Sequence, residues 1–291
     1  MSVRKAVIPV AGFATRFLPA CKSVPKCMLT ILDKPIVQYL VDEAVASGIE
    51  EILLIVGRKK EVIFDYFSED TELKEFLRER GKESFIPQIE NLSGKAKISF
   101  IEQTGGAKGL GHAIYMAKDF VGNEPFAIMY GDVIMQGEKP CLKEIIEQHE
   151  KLGTSIIGVE KVDWKDVPKY GNVSGEAITD RLYKVEKMQE KPKIEETKSN
   201  LAISDRHVLM PELFDFLEKT KIGKGGEIQV TDAYNSMVGT KNGVYAYCYE
   251  AQRFDSGDKL GFVKASVDET LRRPELREDM IKFIKSLNLE D

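Results

Sequence analysis

Residues 7–28, VIPVAGFATRFLPACKSVPKCM, join an apolar run to a turn of small residues and then to two separated cations. With Ala6 before it, the run Val7-Ile8-Pro9-Val10 is long enough for one buried strand. It breaks into Ala11-Gly12-Phe13-Ala14-Thr15, and Arg16 and Lys26 follow, separated by Pro19 and Pro25. A strand that ends in small residues lets backbone N–H groups approach a phosphate, whose charge nearby cations neutralise. The pattern predicts a nucleotide-phosphate loop. It is not a Walker A loop, because no Gly-Lys-Ser/Thr closes it, and the three spaced glycines of a dinucleotide fingerprint are missing.

Outward from this loop the periodicities alternate. Residues 36–47, IVQYLVDEAVAS, carry apolar side chains at helical spacing and end at Gly48, and residues 51–57, EILLIVG, give a second buried strand. Strand, helix and strand with short joins make the βαβ unit of a parallel sheet. The charge-rich residues 59–91 are helical in pattern and solvated. Further strands are predicted over 96–102, 125–130 and 155–160, with helices over 109–120 and 142–152. Beyond them come shorter, half-exposed strands at 171–175 and 182–187, an apolar alternation around His207, a helix opened by Pro211 and a late strand over 244–249. Two helices, 259–271 and 275–287, close the chain with Pro274 between them. The absence of a repeat or low-complexity linker predicts one domain over residues 1–291.

A length of 291 residues with 43% hydrophobic side chains supports a substantial core, and a net charge of −5 argues against a general nucleic-acid or membrane-surface binder. An anionic ligand must then be held by local cations. The N-terminus lacks the apolar region of a signal peptide and no run reaches membrane-spanning length, which predicts a cytoplasmic protein. Cys21, Cys27, Cys141 and Cys248 show no CxxC spacing, so neither a zinc site nor a disulfide framework is suggested.

Asp132 follows the apolar run Phe126–Tyr130, and a carboxylate at the end of a parallel strand sits where α/β folds bind ligands. It is a candidate Mg²⁺ ligand or a turn-forming aspartate. Asp255, in Phe254-Asp255-Ser256-Gly257-Asp258, is a second metal ligand or a helix cap. Glu190-Lys191-Pro192 offers a cation to a phosphate, or forms a surface turn. Gln103 carries both a donor and an acceptor, which suits a nucleobase edge, and Gly109 and Gly111 let the backbone approach a flat ring. His112 falls at a helix N-terminus; His149 and His207 have no matching nucleophile, and no Ser elbow appears.

Taken in order, VAGFATRFLPACKSVPKCML, GLGHAI, Gly131-Asp132-Val133, Lys169-Tyr170-Gly171, Glu190-Lys191-Pro192, residues 199–203 (SNLAI), GEIQVTDA and Asp255-Ser256-Gly257-Asp258-Lys259-Leu260-Gly261 resemble the sugar-phosphate nucleotidyltransferase family, in its uridylyl branch. The resemblance runs from about Lys5 to Leu276. It implies an α/β fold: a Rossmann-like, mixed, mostly parallel sheet flanked by helices, with a sugar-binding elaboration in the second half. It implies transfer of uridylyl from UTP to glucose 1-phosphate, giving UDP-glucose and pyrophosphate, with Mg²⁺ as cofactor, and a homodimer or homotetramer. Residue by residue, Ala11, Gly12, Gln103 and Gly109 would meet the nucleotide, and Arg16 and Lys26 the triphosphate. Asp132 and Asp255 would hold Mg²⁺. Gly171, Glu190 and Asn200 would face the sugar, and Lys191 its phosphate.

Two residues of the opening loop depart from the family pattern. Ala14 stands where glycine is usual and Cys27 where glutamate is usual, while Thr30 replaces proline. A positive φ at Ala14 would cost roughly 1–2 kcal/mol. These departures keep open a catalytically weak paralogue that binds sugar nucleotide and modulates a partner enzyme, and a thymidylyltransferase using dTTP.

Overall fold

Parallel strands covered on both faces read as unbroken apolar runs, and three such runs lie side by side here. The computed structural model describes residues 2–104, 109–223 and 226–287. Its strands are β1 (Lys5–Pro9), β2 (Thr30–Ile31), β3 (Lys34–Pro35), β4 (Glu51–Val56), β5 (Lys97–Glu102), β6 (Phe126–Met129), β7 (Val133–Gln136), β8 (Ser155–Lys161), β9 (Gly171–Ala177), β10 (Leu182–Glu190), β11 (Leu201–Leu209), β12 (Val244–Cys248) and β13 (Gln252–Asp255). Nine of them form one sheet in the order β5-β4-β1-β6-β11-β8-β12-β10-β9. Seven of these run one way, and β11 and β10 run against them. The sheet is therefore mixed and mostly parallel in strand direction, as expected.

Alternate side chains of each strand point to opposite faces, and this divides the core in two. Ala6 and Ile8 of β1 and Ile52, Leu54 and Val56 of β4 pack under the helices Ile36–Ala46 and Cys141–Leu152. Val7, Leu53 and Ile55 face the other layer, which holds the helices Leu110–Tyr115, Leu213–Lys219 and Val230–Met237. Arg206, fully buried on β11, ties the first layer to the sheet. Its Nε donates to both carboxylate oxygens of Glu43, at 3.1 and 3.0 Å, and its Nη2 donates to Glu43 Oε2 at 2.8 Å and to the Val133 carbonyl at 2.9 Å.

Several elements differ from expectation. The predicted helix over 109–120 is two, Leu110–Tyr115 and Lys118–Val121, and the helix Val230–Met237 was unpredicted. Pro274 is the first residue of the last helix, Pro274–Ser286, where its missing N–H costs nothing. Two short antiparallel pairs, β2 with β3 and β7 with β13, lie outside the main sheet. Among the described residues no helix is long and apolar enough to cross a membrane.

Candidate active site

The carboxyl ends of β1, β4, β5 and β6 lie along one edge, and the turns that follow them carry the predicted nucleotide residues. Val10 donates to the Ile55 carbonyl at 2.8 Å and Gln103 N–H to the Val56 carbonyl at 2.8 Å, so three of these strand ends are fastened together. After β1 the backbone turns at Ala14 with φ 51° and ψ 42°, the left-handed region. The positive φ suspected from the usual glycine is present, and alanine tolerates it. The turn lets Phe17 N–H reach the Ala14 carbonyl at 3.0 Å, closing a short 3-10 turn, Thr15–Phe17, that carries Arg16.

Arg16, Lys26, Asp132 and Asp255 come together. Lys26 Nζ lies 2.8 Å from Asp132 Oδ2, and Arg16 Nη1 donates to the Gly257 carbonyl at 3.4 Å. Asp255 arrives through the β7–β13 pair, in which it is the register partner of Val133, the residue after Asp132. Gly257 N–H donates to Asp255 Oδ1 at 2.7 Å. A Cβ at Gly257 would fall 2.7 Å from Lys26 Nζ, 2.7 Å from Asp255 Oδ1 and 3.0 Å from Asp132 Oδ2, so a side chain there would push apart the groups that converge on it. The helix-cap role falls to Asp258, which accepts from Gly261 N–H at 3.0 Å.

Two carboxylates facing one point suit Mg²⁺, which takes one or two protein carboxylates and draws its remaining oxygens from phosphate and water. Among the described residues no cluster of three or more His, Cys, Asp or Glu could hold a metal by itself. The donor set thus fits an ion that arrives with a polyphosphate.

Ala11, Gly12, Ala14 and Lys26 line a first cleft, joined by Arg58 and Lys59 from the turn after β4. Gln103 holds its Nε2 3.3 Å from His112 Nδ1. Gly109 has φ +85°, and a Cβ there would meet Glu227 Cβ at 2.6 Å, so glycine is required at this close approach. Residues 105–108 of the Gly-rich turn lie outside the described residues. Cys27 does not face the cleft. It is buried in the first core layer, and burial pushes its thiol up to about 12.

A second cleft gathers Gly171, Glu190 and Lys191. Gly171 is the register partner of Glu190 in the antiparallel β9–β10 hairpin, which sets the two residues side by side at its open end. Thr231 Oγ1 donates to Glu190 Oε2 at 2.7 Å, and Lys191 Nζ stands 3.4 Å from Glu190 Oε1. Lys191 has φ +44°, an uncommon conformation for a lysine, with its N–H bonded to the Tyr170 carbonyl at 3.1 Å. Asn200 is not among the residues lining this cleft. Its Nδ2 donates to the Val162 carbonyl at 2.8 Å and so braces the start of β11.

A family model described as nucleotidyl transferase matches residues 5–271. The chain belongs to the nucleotidyl transferase family. This nucleotidyl transferase is 46% identical, over 288 residues, to UTP–glucose-1-phosphate uridylyltransferase 1 of Staphylococcus saprophyticus, covering 99% of this chain and 100% of that relative. It superposes on a UTP-bound UGPase of Acinetobacter baumannii with a TM-score of 0.91 at 35% identity, covering 98% of this chain and 100% of the other. A UDP-glucose pyrophosphorylase complexed with UDP-glucose matches with a TM-score of 0.83 at 36% identity, over 93% of this chain and 100% of that one.

The transferase also brings residues to its clefts that sequence reasoning missed. Arg58 and Lys59 follow Gly57 at a strand end, as Asp132 follows Gly131, and that shared placement was the available signal. In the second cleft stand Asp205, one of a run of buried polar residues at the middle of β11, and Arg253, two residues before Asp255 on one strand and hence on the same face.

Proposed function

We propose that this chain is a uridylyltransferase that makes UDP-glucose and pyrophosphate from UTP and glucose 1-phosphate. The observation that carries this reading is the meeting of Arg16, Lys26, Asp132 and Asp255 around Gly257. The family membership and the uridylyltransferase relative at 46% identity over 99% of the chain support it.

In the proposed roles, Ala11, Gly12, Gln103 and Gly109 meet the nucleotide, and Arg16 and Lys26 grip the triphosphate. Gly171 and Glu190 receive the sugar and Lys191 its phosphate; Asn200 acts by holding the strand that runs past the sugar. A phosphate oxygen of glucose 1-phosphate attacks the α-phosphorus of UTP in line, forming the new P–O bond as the bond to pyrophosphate breaks. The nucleophile is already an anion, so no general base is required. The obstacle is repulsion between two polyanions. The three cations offset it and fix the in-line geometry, so the chain contributes positioning and electrostatics. Mg²⁺, held by Asp132 and Asp255, would add charge neutralisation between the phosphates.

One nucleotidyltransferase domain, a cytoplasmic location and self-association belong to the same reading. Exposed apolar side chains on the closing helices, Leu260, Val263, Leu276 and Phe283, support assembly as a homodimer or homotetramer. Pyrophosphate release is to be measured with glucose 1-phosphate and Mg²⁺ for UTP and for dTTP separately. Turnover preferring UTP is expected. Tight UDP-glucose binding without turnover would sink the enzyme reading and favour a binding paralogue.

A further inference from the structure

The second cleft holds a carboxylate to which Glu190 and Lys191 leave no assigned task. Asp205 lies midway along β11 and is only 6% exposed. A carboxylate so far from water costs several kcal/mol unless it is paired. Its pairing is one-sided. Arg253 Nε donates to Oδ2, and Ser204 Oγ reaches the same oxygen at 3.5 Å. Oδ1 has no hydrogen-bond partner among the described residues, yet it is not sealed from solvent, so it opens into the cleft that the side chain lines. Arg253 is itself fixed, 3.6 Å from Glu160 Oε1 and 5.9 Å from the centre of the Tyr170 ring. Glu190 has the same construction: Thr231 occupies Oε2, and among the described residues Oε1 has only Lys191 Nζ, at 3.4 Å.

We propose that Asp205 Oδ1 is a second sugar-reading acceptor, taking a hydrogen bond from a hydroxyl of the hexose 1-phosphate, with Arg253 as its positioning residue. This assignment rests on the uridylyl-transfer reading and adds to it a determinant of sugar choice. A carboxylate held by one oxygen has the lone pairs of the other aimed before the sugar arrives, which is the preorganisation that hydroxyl recognition needs. Arg253 has no acceptor atom, and its charge is matched by Asp205 and Glu160. Three carboxylates, Glu190, Asp205 and Glu227, line this cleft opposite Lys169, Lys191 and Arg253, so acceptors for sugar hydroxyls stand beside cations for the phosphate.

The test compares wild type with Asp205→Asn, in which an amide oxygen can still accept from Arg253 while a donor replaces the acceptor at the cleft. KM for glucose 1-phosphate should rise about 10- to 100-fold, and KM for UTP should change less than about twofold. Monodeoxy glucose 1-phosphates then identify the hydroxyl: its removal should cost wild type about the same factor and cost Asp205→Asn little. Unchanged KM values, or equal losses for UTP and glucose 1-phosphate, would overturn the assignment. Should the variant not fold, the deoxy panel on wild type and Glu190→Gln decides, because a single sensitive hydroxyl that becomes insensitive in Glu190→Gln overturns it. Wild type that fails to turn over UTP and glucose 1-phosphate sinks the uridylyl reading instead. Calorimetry with UDP-glucose against UDP then tests Asp205 alone, and a variant keeping the wild-type preference for UDP-glucose counts against it.

Discussion

Lys26 Nζ lies 2.8 Å from Asp132 Oδ2, so the proposed phosphate grip is bonded to the proposed metal pair. An ammonium and a divalent ion compete for that oxygen until a polyphosphate gives Lys26 another partner. Metal binding should therefore be weak in the free protein and tighten about tenfold or more with UTP. Mn²⁺ titration followed by calorimetry or electron paramagnetic resonance checks this. Lys26→Met should narrow the difference by strengthening binding to the free protein; equal affinity with and without UTP would refute the competition.

Lys191 combines a left-handed backbone with a side chain that is 59% exposed. Little of the fold leans on its ammonium. Lys191→Ala should lower kcat/KM for glucose 1-phosphate by about 10² to 10³, by analogy with the loss of an oxyanion donor, and shift the melting temperature by no more than about 2 °C. A variant that unfolds would show that the lysine is structural.

The two departures in the opening loop behave as unrelated changes. Ala14 carries positive φ at its own cost, so Ala14→Gly should stabilise the protein by about 0.5–1 kcal/mol in urea unfolding. Cys27 is 2% exposed among Val37, Leu40 and their neighbours in the first core layer, so Cys27→Glu buries a carboxylate there and should cost several kcal/mol. Restoring both family residues together should accordingly lose folded protein, not raise turnover. A stable, more active double variant would contradict this.

His207 is fully buried between the rings of Tyr130 and Tyr234, and Gly158 N–H donates to its Nδ1 at 3.2 Å. Burial, with the Arg206 charge adding to it, pushes the imidazole down to about 3. Below the ordinary value near 6.5 the unfolded chain takes up a proton that the folded chain refuses. The stability from neutral His207 is complete above about 6.5 and is lost as pH falls toward 3, with a slope up to about 1.4 kcal/mol per pH unit. His207→Phe should flatten the fall in melting temperature between pH 6.5 and 4.5; an unchanged slope would assign the proton uptake elsewhere, His149 included.

The strands and their terminal turns were legible because their signals are local. Apolar runs such as residues 51–56 and the small residues after Val10 carry their meaning within a few positions. Contacts set by register were not. Nothing near Asn200 in the sequence indicates that its amide is taken by Val162, and nothing beside Cys27 indicates that it turns into the core. The pairing of Asp255 with the strand after Asp132 spans more than a hundred residues of chain, and the partners that fix Asp205 and Glu190 come from other strands and a helix. Motif order supplied the participants; pairing and burial decided which of them meet.

The β7–β13 ladder is four residue pairs long, and its register sets Asp255 beside Asp132. A slip by one residue would turn Asp255 to the opposite face of the ribbon. The loops between the intervening strands can therefore lengthen or shorten while the proposed metal pair keeps its spacing. In such a chain, substrate choice can evolve as an accessory, and the step at phosphorus is handed down as a register.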